Sequence, residues 1–200
     1  MSIPQEGFHF EASDHTYWWN GRRIPGTTEI LKSAGVISEF GFNEHARVRG
    51  TAVHAACHYL AEGDLDMASV DPAIVGYVKA YEQFLVDTGF KPEICEKPTM
   101  HPVLLYGTTP DQIGPIKGQM VVVDFKTGTM RKWTALQTAF QTMATFPDTY
   151  LTIGRACLEL HEDGTYKPAW FTDETDFDVA MGMLTVLAWK NENMGGTYKK

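Results

Sequence analysis

The sequence has little cysteine and no long apolar run. Its three cysteines, Cys57, Cys95 and Cys157, are odd in number and far apart. This pattern argues against a disulfide framework and against a zinc or iron–sulfur site, so we expect three buried apolar residues. No apolar run approaches the roughly 18 residues that a membrane span requires, so we expect no membrane partner.

The first residues do not have the pattern of a secretion signal. The N-terminal residues MSIPQEGFHFE lack the basic start and apolar stretch of a signal peptide, so we expect a cytoplasmic location. A length of 200 residues with 44% hydrophobic composition fits a single domain over residues 1–200. We expect residues 1–35 to form an N-terminal extension of that domain.

An excess of positive charge is lacking as well. The net charge is −8, whereas proteins that bind nucleic acid usually present a basic surface. Basic residues are nevertheless grouped, at Arg22 and Arg23, at Arg47 and Arg49, and at Arg131 and Lys132. Because the distribution of charge steers a ligand more than the net charge does, binding of a polyanion is not excluded.

Turn residues and apolar spacing predict the order of the elements. Asn20-Gly21 predicts a hairpin between HTYWW and RRI. Helices are predicted from Thr27 as N-cap to Gly35, from Asn43 to Glu62, from Asp71 to Gly89, from Lys132 to Phe146 and from Glu174 to Asn193. Strands are predicted in EICEKPTM, VLLYGTT and QMVVVDFK, and a second hairpin joins LTIGRACLEL to YKPAWF. We therefore predict an α/β or α+β fold with helices flanking a mixed sheet.

Two acids and a lysine close this strand-rich segment. Asp124 and Lys126 end an apolar run and share one face of the predicted strand, and Asp111 precedes that run. Two converging carboxylates suit a hard cation such as Mg²⁺, and a nearby lysine can stabilise charge on a phosphorane oxygen. The alternatives are that Asp111 is a turn residue and that Lys126 is only the salt-bridge partner of Asp124.

A polar stripe runs along the second predicted helix. At helical spacing Arg47, Thr51, His54 and His58 share one side, and an apolar face with Val53 and Cys57 lies roughly opposite. The stripe is either a solvated face or a functional one. In the second case His54 is a metal ligand or a phosphate contact, and Arg47 reaches a phosphate.

Three further polar residues have two interpretations each. Glu96 is either a solvent-facing strand residue, or a residue that binds the metal or contacts the metal ligands. Gln137 and Gln141 lie one turn apart on the helix after Lys126. They are either surface glutamines or amides that hold a water or a nucleotide backbone.

Taken in order, these motifs resemble the PD-(D/E)XK nuclease superfamily, and more closely its RecB-like exonucleases of phages and prophages. The resemblance covers roughly residues 15 to 145. The matching stretches are YWWNGRRIPGTTEIL, ARVRGTAVH, GTTPD, VVDFKTG and LQTAFQ.

The resemblance implies a restriction-endonuclease-like core and assigns the site residues. His54, Asp111, Asp124 and the carbonyl of Phe125 would be metal ligands, and Asp111, Asp124, Lys126 and Gln137 catalytic residues. We also predict that five residues bind the substrate, namely Arg47, Arg49, Thr51, Gln141 and Arg131. Glu96 would contact the metal ligands and support them. Gln141 departs from the family pattern, since many relatives carry tyrosine there. The sequence has neither the cysteine quartet of the iron–sulfur branches nor a helicase motif.

We therefore expect a Mg²⁺-dependent deoxyribonuclease, with Mn²⁺ as a substitute metal, acting as a phage exonuclease in recombination or DNA processing. A structure-specific endonuclease or resolvase of the same fold and a non-catalytic DNA-binding protein are the alternatives. The expected partners are DNA, a single-strand annealing or other DNA-binding protein, and further copies of the chain.

Overall fold

The computed structural model describes residues 6–37 and 44–195. The helices are α1 (Thr27–Ser33), α2 (Glu44–Glu62), α3 (Val75–Thr88), α4 (Thr134–Thr145) and α5 (Thr175–Asn193). The strands are β1 (Phe8–Glu11), β2 (Thr16–Trp19), β3 (Arg22–Ile24), β4 (Ile94–Cys95), β5 (Thr99–Met100), β6 (Gly107–Thr108), β7 (Gln112–Ile116), β8 (Gln119–Lys126), β9 (Gly154–Leu160) and β10 (Tyr166–Trp170). None of the helices in these segments is long and apolar enough to cross a membrane.

A five-stranded mixed sheet forms the centre of the molecule, with the strand order β10-β9-β8-β7-β4. Strands β8 and β9 run parallel, whereas the other neighbours in this sheet are antiparallel. Helices pack on both sides of it, so the predicted mixed α+β architecture is confirmed. Both predicted hairpins are also present, across Asn20-Gly21 and in the β9–β10 connection.

Strand β8 has one apolar face and, at its carboxyl end, a polar one on the other side. Val121, Val123 and Phe125 belong to a buried cluster that includes residues of α2 and α3. Burial of side chains of this size contributes about 1.5–3 kcal/mol each to stability. Because side chains alternate along a strand, Asp124 and Lys126 project from the opposite face, towards α4.

A second core fixes α4 above that polar face. Phe140 of α4 is fully buried and packs with residues of α1 and α5, among them Ile30 and Phe177. The Tyr106 hydroxyl donates to the Phe140 carbonyl at 2.8 Å. The position of α4 over the end of β8 therefore depends on packing between segments that are far apart in sequence.

Several predicted boundaries were wrong for local reasons. The N-cap of α1 is Gly26, since its N–H donates to Glu29 Oε2 at 2.8 Å, and Thr27 begins the helix. Helix α3 begins at Val75 because residues 71–74 form a separate turn. Of the predicted strand VLLYGTT, residues 107–108 form a strand, whereas residues 103 and 104 lie in a turn in which His101 Nδ1 accepts their N–H groups.

The prediction of three buried cysteines was wrong for one of them. Cys57 and Cys157 are buried, whereas Cys95 is partly exposed on the short strand β4. Residue Asn43, the predicted start of α2, lies outside the described residues, and the helix is described from Glu44 onwards.

The N-terminal sheet packs against the segment that leads to Asp111. Strands β1, β2 and β3 form an antiparallel sheet, and Tyr17 of β2 is buried beneath it. The Tyr17 hydroxyl lies 2.9 Å from Thr109 Oγ1, two residues before Asp111. The ring lies against Gly107, where a Cβ atom would come within 2.1 Å of the ring carbon Cγ.

We expect Gly107→Ala to lower the free energy of unfolding by about 1–3 kcal/mol, since the added methyl overpacks a closed contact. Chemical denaturation followed by fluorescence measures the change. Gly182→Ala on α5 is the control, because nothing lies within 4 Å of a Cβ atom there. Equal stability of the two variants would show that the N-terminal sheet packs loosely.

Candidate active site

Polar side chains from four elements meet at the carboxyl end of β8. This strand contributes Asp124 and Lys126, Asp111 directly precedes the neighbouring strand β7, α2 contributes His54 and α4 contributes Gln137. Asp124 is 0% exposed and forms an ion pair with the Lys126 amine. The predicted strand, helix and acid motifs therefore come together in space.

Asp111 is held by groups on both sides. Its Oδ2 accepts from the Phe125 N–H at 2.6 Å, and its Oδ1 lies 3.5 Å from His54 Nδ1. Its backbone carbonyl accepts from the N–H of Glu96 at 2.9 Å. In the sequence Asp111 follows the predicted strand VLLYGTT, and in the structure it directly precedes β7, beside the end of β8.

His54 projects from α2 towards Asp111 and the carboxyl end of β8. Its Nε2 lies 3.2 Å from the Phe125 carbonyl oxygen, so both ring nitrogens face acceptors. The apolar face of α2 contains Val53 and Cys57 as predicted, but His54 does not lie opposite to it. At about 100° per residue, His54 is only about 60° from Cys57, and it borders the core.

Helix α4 provides one glutamine to each member of the ion pair. Gln137 Oε1 accepts from the Lys126 amine at 3.4 Å. Gln141 Nε2 donates to Asp124 Oδ1 at 3.5 Å, and its buried Oε1 has no partner within the described residues. Gln141 is 1% exposed and contacts the acid, and its role in substrate binding stays a prediction.

The charges at this site include both attractions and a repulsion between the two acids. Burial lowers the pKa of His54, but the charge and hydrogen bond of Asp111 outweigh it and raise the pKa to about 9. Burial likewise disfavours ionised Asp111, yet His54 and Lys126 hold its pKa below the ordinary value. For Asp124, burial raises the pKa and repulsion by Asp111 adds to it, against the opposing charge of Lys126.

The remaining predicted substrate residues differ in their surroundings. Arg47 is exposed and forms a salt bridge with Glu44, in which Arg47 Nε donates to Glu44 Oε2 at 2.9 Å. Thr51, also exposed, donates to the carbonyl of residue 47 at 3.2 Å. Arg49 donates to the Thr127 carbonyl at 3.1 Å, and Arg131 is exposed in the loop after β8. Of these four residues, Arg49 therefore contacts the loop after β8, and Arg131 belongs to it.

Glu159 on β9 is a residue that sequence reasoning missed. It pairs in register with Lys126, and its Oε1 accepts from the Met130 N–H at 2.6 Å. The signal for it was the alternation in GRACLEL, which places Arg155, Cys157 and Glu159 on one face of β9. Two charged residues on one face of an inner strand are unusual, because burial of a charge is costly.

The donors at this site fit a hard divalent cation. Asp111, Asp124 and the Phe125 carbonyl offer oxygen atoms, and His54 offers nitrogen after losing one proton. Within the described residues no group of three or more His, Cys, Asp or Glu side chains is arranged to hold a metal ion. Mg²⁺ usually binds one or two carboxylates and completes its shell with water and substrate phosphate, so an open site suits it.

Comparison with known proteins gives remote structural similarity only. No family model matches the chain, and no curated protein matches its sequence. The chain is similar to the crystal structure of an alkaline exonuclease, LHK-Exo, from Laribacter hongkongensis, with 13% identity, a TM-score of 0.40 and coverage of 86% of this chain and 93% of that one. A structure of LHK-Exo in complex with dAMP gives 13% identity, a TM-score of 0.43 and coverage of 84% of this chain and 88% of that one. The crystal structure of a putative exonuclease from Eubacterium rectale gives 14% identity, a TM-score of 0.43 and coverage of 86% of this chain and 77% of that one.

Proposed function

We propose that this protein is a Mg²⁺-dependent deoxyribonuclease, with Mn²⁺ able to replace Mg²⁺. The observation that carries the proposal is the meeting of Asp111, Asp124, Lys126 and His54 at the end of β8, from three elements of the chain. Two acids suit a metal, and the lysine suits the negative charge of a phosphodiester. A residue set serving stability alone would not need two carboxylates that repel each other in a buried place.

Each residue has a distinct proposed task. When bound, Mg²⁺ lowers the pKa of water and stabilises charge on the leaving oxygen. Asp111, Asp124, His54 and the Phe125 carbonyl would hold it. Lys126 places a positive charge beside the phosphate oxygens, where negative charge develops during hydrolysis. Gln137 keeps the Lys126 amine in position through its contact at 3.4 Å.

Within this activity, we propose an exonuclease of phage origin that serves recombination or DNA processing. The sequence resemblance to RecB-like phage exonucleases supports this choice over a structure-specific endonuclease or resolvase. DNA is the proposed substrate, and a single-strand annealing protein is the proposed protein partner.

The decisive test uses linear DNA labelled at its ends and covalently closed circular DNA, each with Mg²⁺ and with a chelator. We expect nucleotides to be released from linear DNA only when Mg²⁺ is present, while circular DNA stays intact. Nicking of the circles would favour the endonuclease. Binding of DNA without cleavage, with Mg²⁺ or Mn²⁺, would contradict the nuclease proposal and favour a non-catalytic DNA-binding protein.

We expect His54→Ala to lower turnover and to raise the Mg²⁺ concentration needed for half-maximal activity about tenfold, the range typical of groups that support a metal. His58→Ala is the matched control, since His58 lies one turn further along α2 and pairs with Glu62 instead. Titration of Mg²⁺ against initial rate measures both variants. The same Mg²⁺ requirement in both would show that His54 is not a ligand.

A further inference from the structure

The loop that follows Lys126, residues 127–132, is held at two points by charged side chains. Arg49 of α2 donates from Nη2 to the Thr127 carbonyl at 3.1 Å. From the other side, Glu159 of β9 accepts from the Met130 N–H at 2.6 Å. The loop is therefore fixed near its start and near its end, by elements that also border the candidate active site.

Both side chains are placed by packing as well as by these bonds. The Arg49 guanidinium carbon lies 5.5 Å from the centroid of the Tyr77 ring. Glu159 is 9% exposed, and its other oxygen lies 3.9 Å from His161 Nε2. Short hydrogen bonds to a carboxylate are among the stronger ones in proteins, so the bond to Met130 restrains the loop effectively.

The loop presents cations next to the catalytic lysine. Thr127 and Met130 are partly buried, whereas residues 128, 129, 131 and 132 are exposed. Arg131 and Lys132 form no salt bridge with any residue in the described segments, while Arg47 across the site is paired with Glu44. In a chain with a net charge of −8, this loop carries positive charge that is available to a polyanion.

We propose that residues 127–132 contact the DNA backbone and that Glu159 positions this loop for binding. The inference rests on the proposed nuclease function and adds a positioning residue to it. Ordering a loop on binding lowers affinity because conformational freedom is lost at that step. A loop already ordered by Glu159 avoids this loss. Lys126 keeps its contacts with Asp124 and Gln137, so the chemical step does not depend on Glu159.

The test compares three variants on end-labelled linear DNA with Mg²⁺. We expect Glu159→Ala to raise KM about tenfold, as for loss of a charge-assisted hydrogen bond, with kcat within about twofold of wild type. Its kcat/KM should depend less steeply on salt, because fewer phosphate contacts form. Glu159→Gln keeps an acceptor and should restore most of the affinity. Glu162→Ala removes the same charge from an exposed position three residues away and should behave as wild type.

Hydrogen exchange provides a readout that does not depend on activity. We expect the Met130 amide to exchange faster in Glu159→Ala and to be protected again in Glu159→Gln. An unchanged KM together with faster exchange would overturn the role in DNA binding, and a fall in kcat alone would overturn the positioning role. If wild-type protein cleaves no DNA with any divalent metal, the nuclease proposal fails as well. If it cleaves DNA and the variants do not differ, only this inference fails.

Discussion

Lys126→Met should lower turnover by about 10²–10³-fold, the loss that accompanies removal of one group stabilising developing negative charge. The Lys126 amine forms an ion pair with Asp124, contacts Gln137 and lies 5.9 Å from the centroid of the Trp133 ring. These partners keep it at the end of β8. Initial rates at saturating Mg²⁺ and DNA measure the effect.

The same substitution has a structural consequence, because it leaves Asp124 buried without its cation. Removal of one partner of a buried ion pair costs about 3–5 kcal/mol of stability. Burial already raises the pKa of Asp124, so its carboxyl can take up a proton and reduce this loss. Turnover therefore has to be measured on protein whose folding has been verified by denaturation.

A second variant separates the two consequences. We expect Asp124→Asn/Lys126→Met to regain stability, since no unpaired charge remains, and to stay inactive. Lys167→Met on β10 is the control for loss of an exposed lysine. Near wild-type turnover in Lys126→Met would show that Lys126 serves only as the ion-pair partner of Asp124.

Much of the site was predictable because strands and helices have fixed side-chain periods. The period of two placed Asp124 and Lys126 on one face, and the structure joins them. The order of motifs predicted that His54 belongs with the acids, and it lies 3.5 Å from Asp111. The first relation is specified by a short stretch of sequence, and the second by the order of motifs along the chain.

Other relations between distant segments were less predictable. Strand β7, with the sequence QIGPI, was missed because glycine and proline usually argue against a strand. Gly114 fits there because a Cβ atom would come within 2.0 Å of the Lys91 carbonyl oxygen. That close approach involves a segment more than twenty residues away, and no local pattern indicates it.

The partners of basic residues were also beyond local patterns. Arg49 and Arg131 read alike in the sequence, yet Arg49 binds the Thr127 carbonyl and Arg131 is exposed. The difference depends on the distance between α2 and the loop after β8, which is set by tertiary packing. Their predicted role in substrate binding stays a prediction for both.

Arg155→Met should lower the free energy of unfolding by about 3–5 kcal/mol, the largest effect on stability that we expect outside the site. Arg155 is 3% exposed on β9 and donates to Asp176 Oδ2 at 2.9 Å. It also donates to the carbonyls of Ala135 at 2.9 Å and Asp173 at 2.8 Å. Its guanidinium carbon lies 4.5 Å from the centroid of the Phe177 ring. One side chain thus joins β9 to the starts of α4 and α5.

Urea denaturation of three variants tests this assignment. Asp176→Asn keeps an oxygen acceptor, so we expect a loss of only about 1 kcal/mol. Arg22→Met removes an exposed arginine of β3 and should change stability by less than about 0.5 kcal/mol. A loss below about 1 kcal/mol for Arg155→Met would show that the apolar side chain replaces the buried network at little cost.

The effect of Arg155→Met should extend to activity through α4. Arg155 binds the Ala135 carbonyl in the first turn of that helix, two residues before Gln137, which contacts Lys126. A loosened first turn weakens this contact, so we expect kcat to fall about threefold to tenfold at a temperature where the variant remains folded. Asp176→Asn, in which the Ala135 contact persists, should keep its kcat. Loss of stability with unchanged kcat would show that the start of α4 is held by its own packing, independently of Arg155.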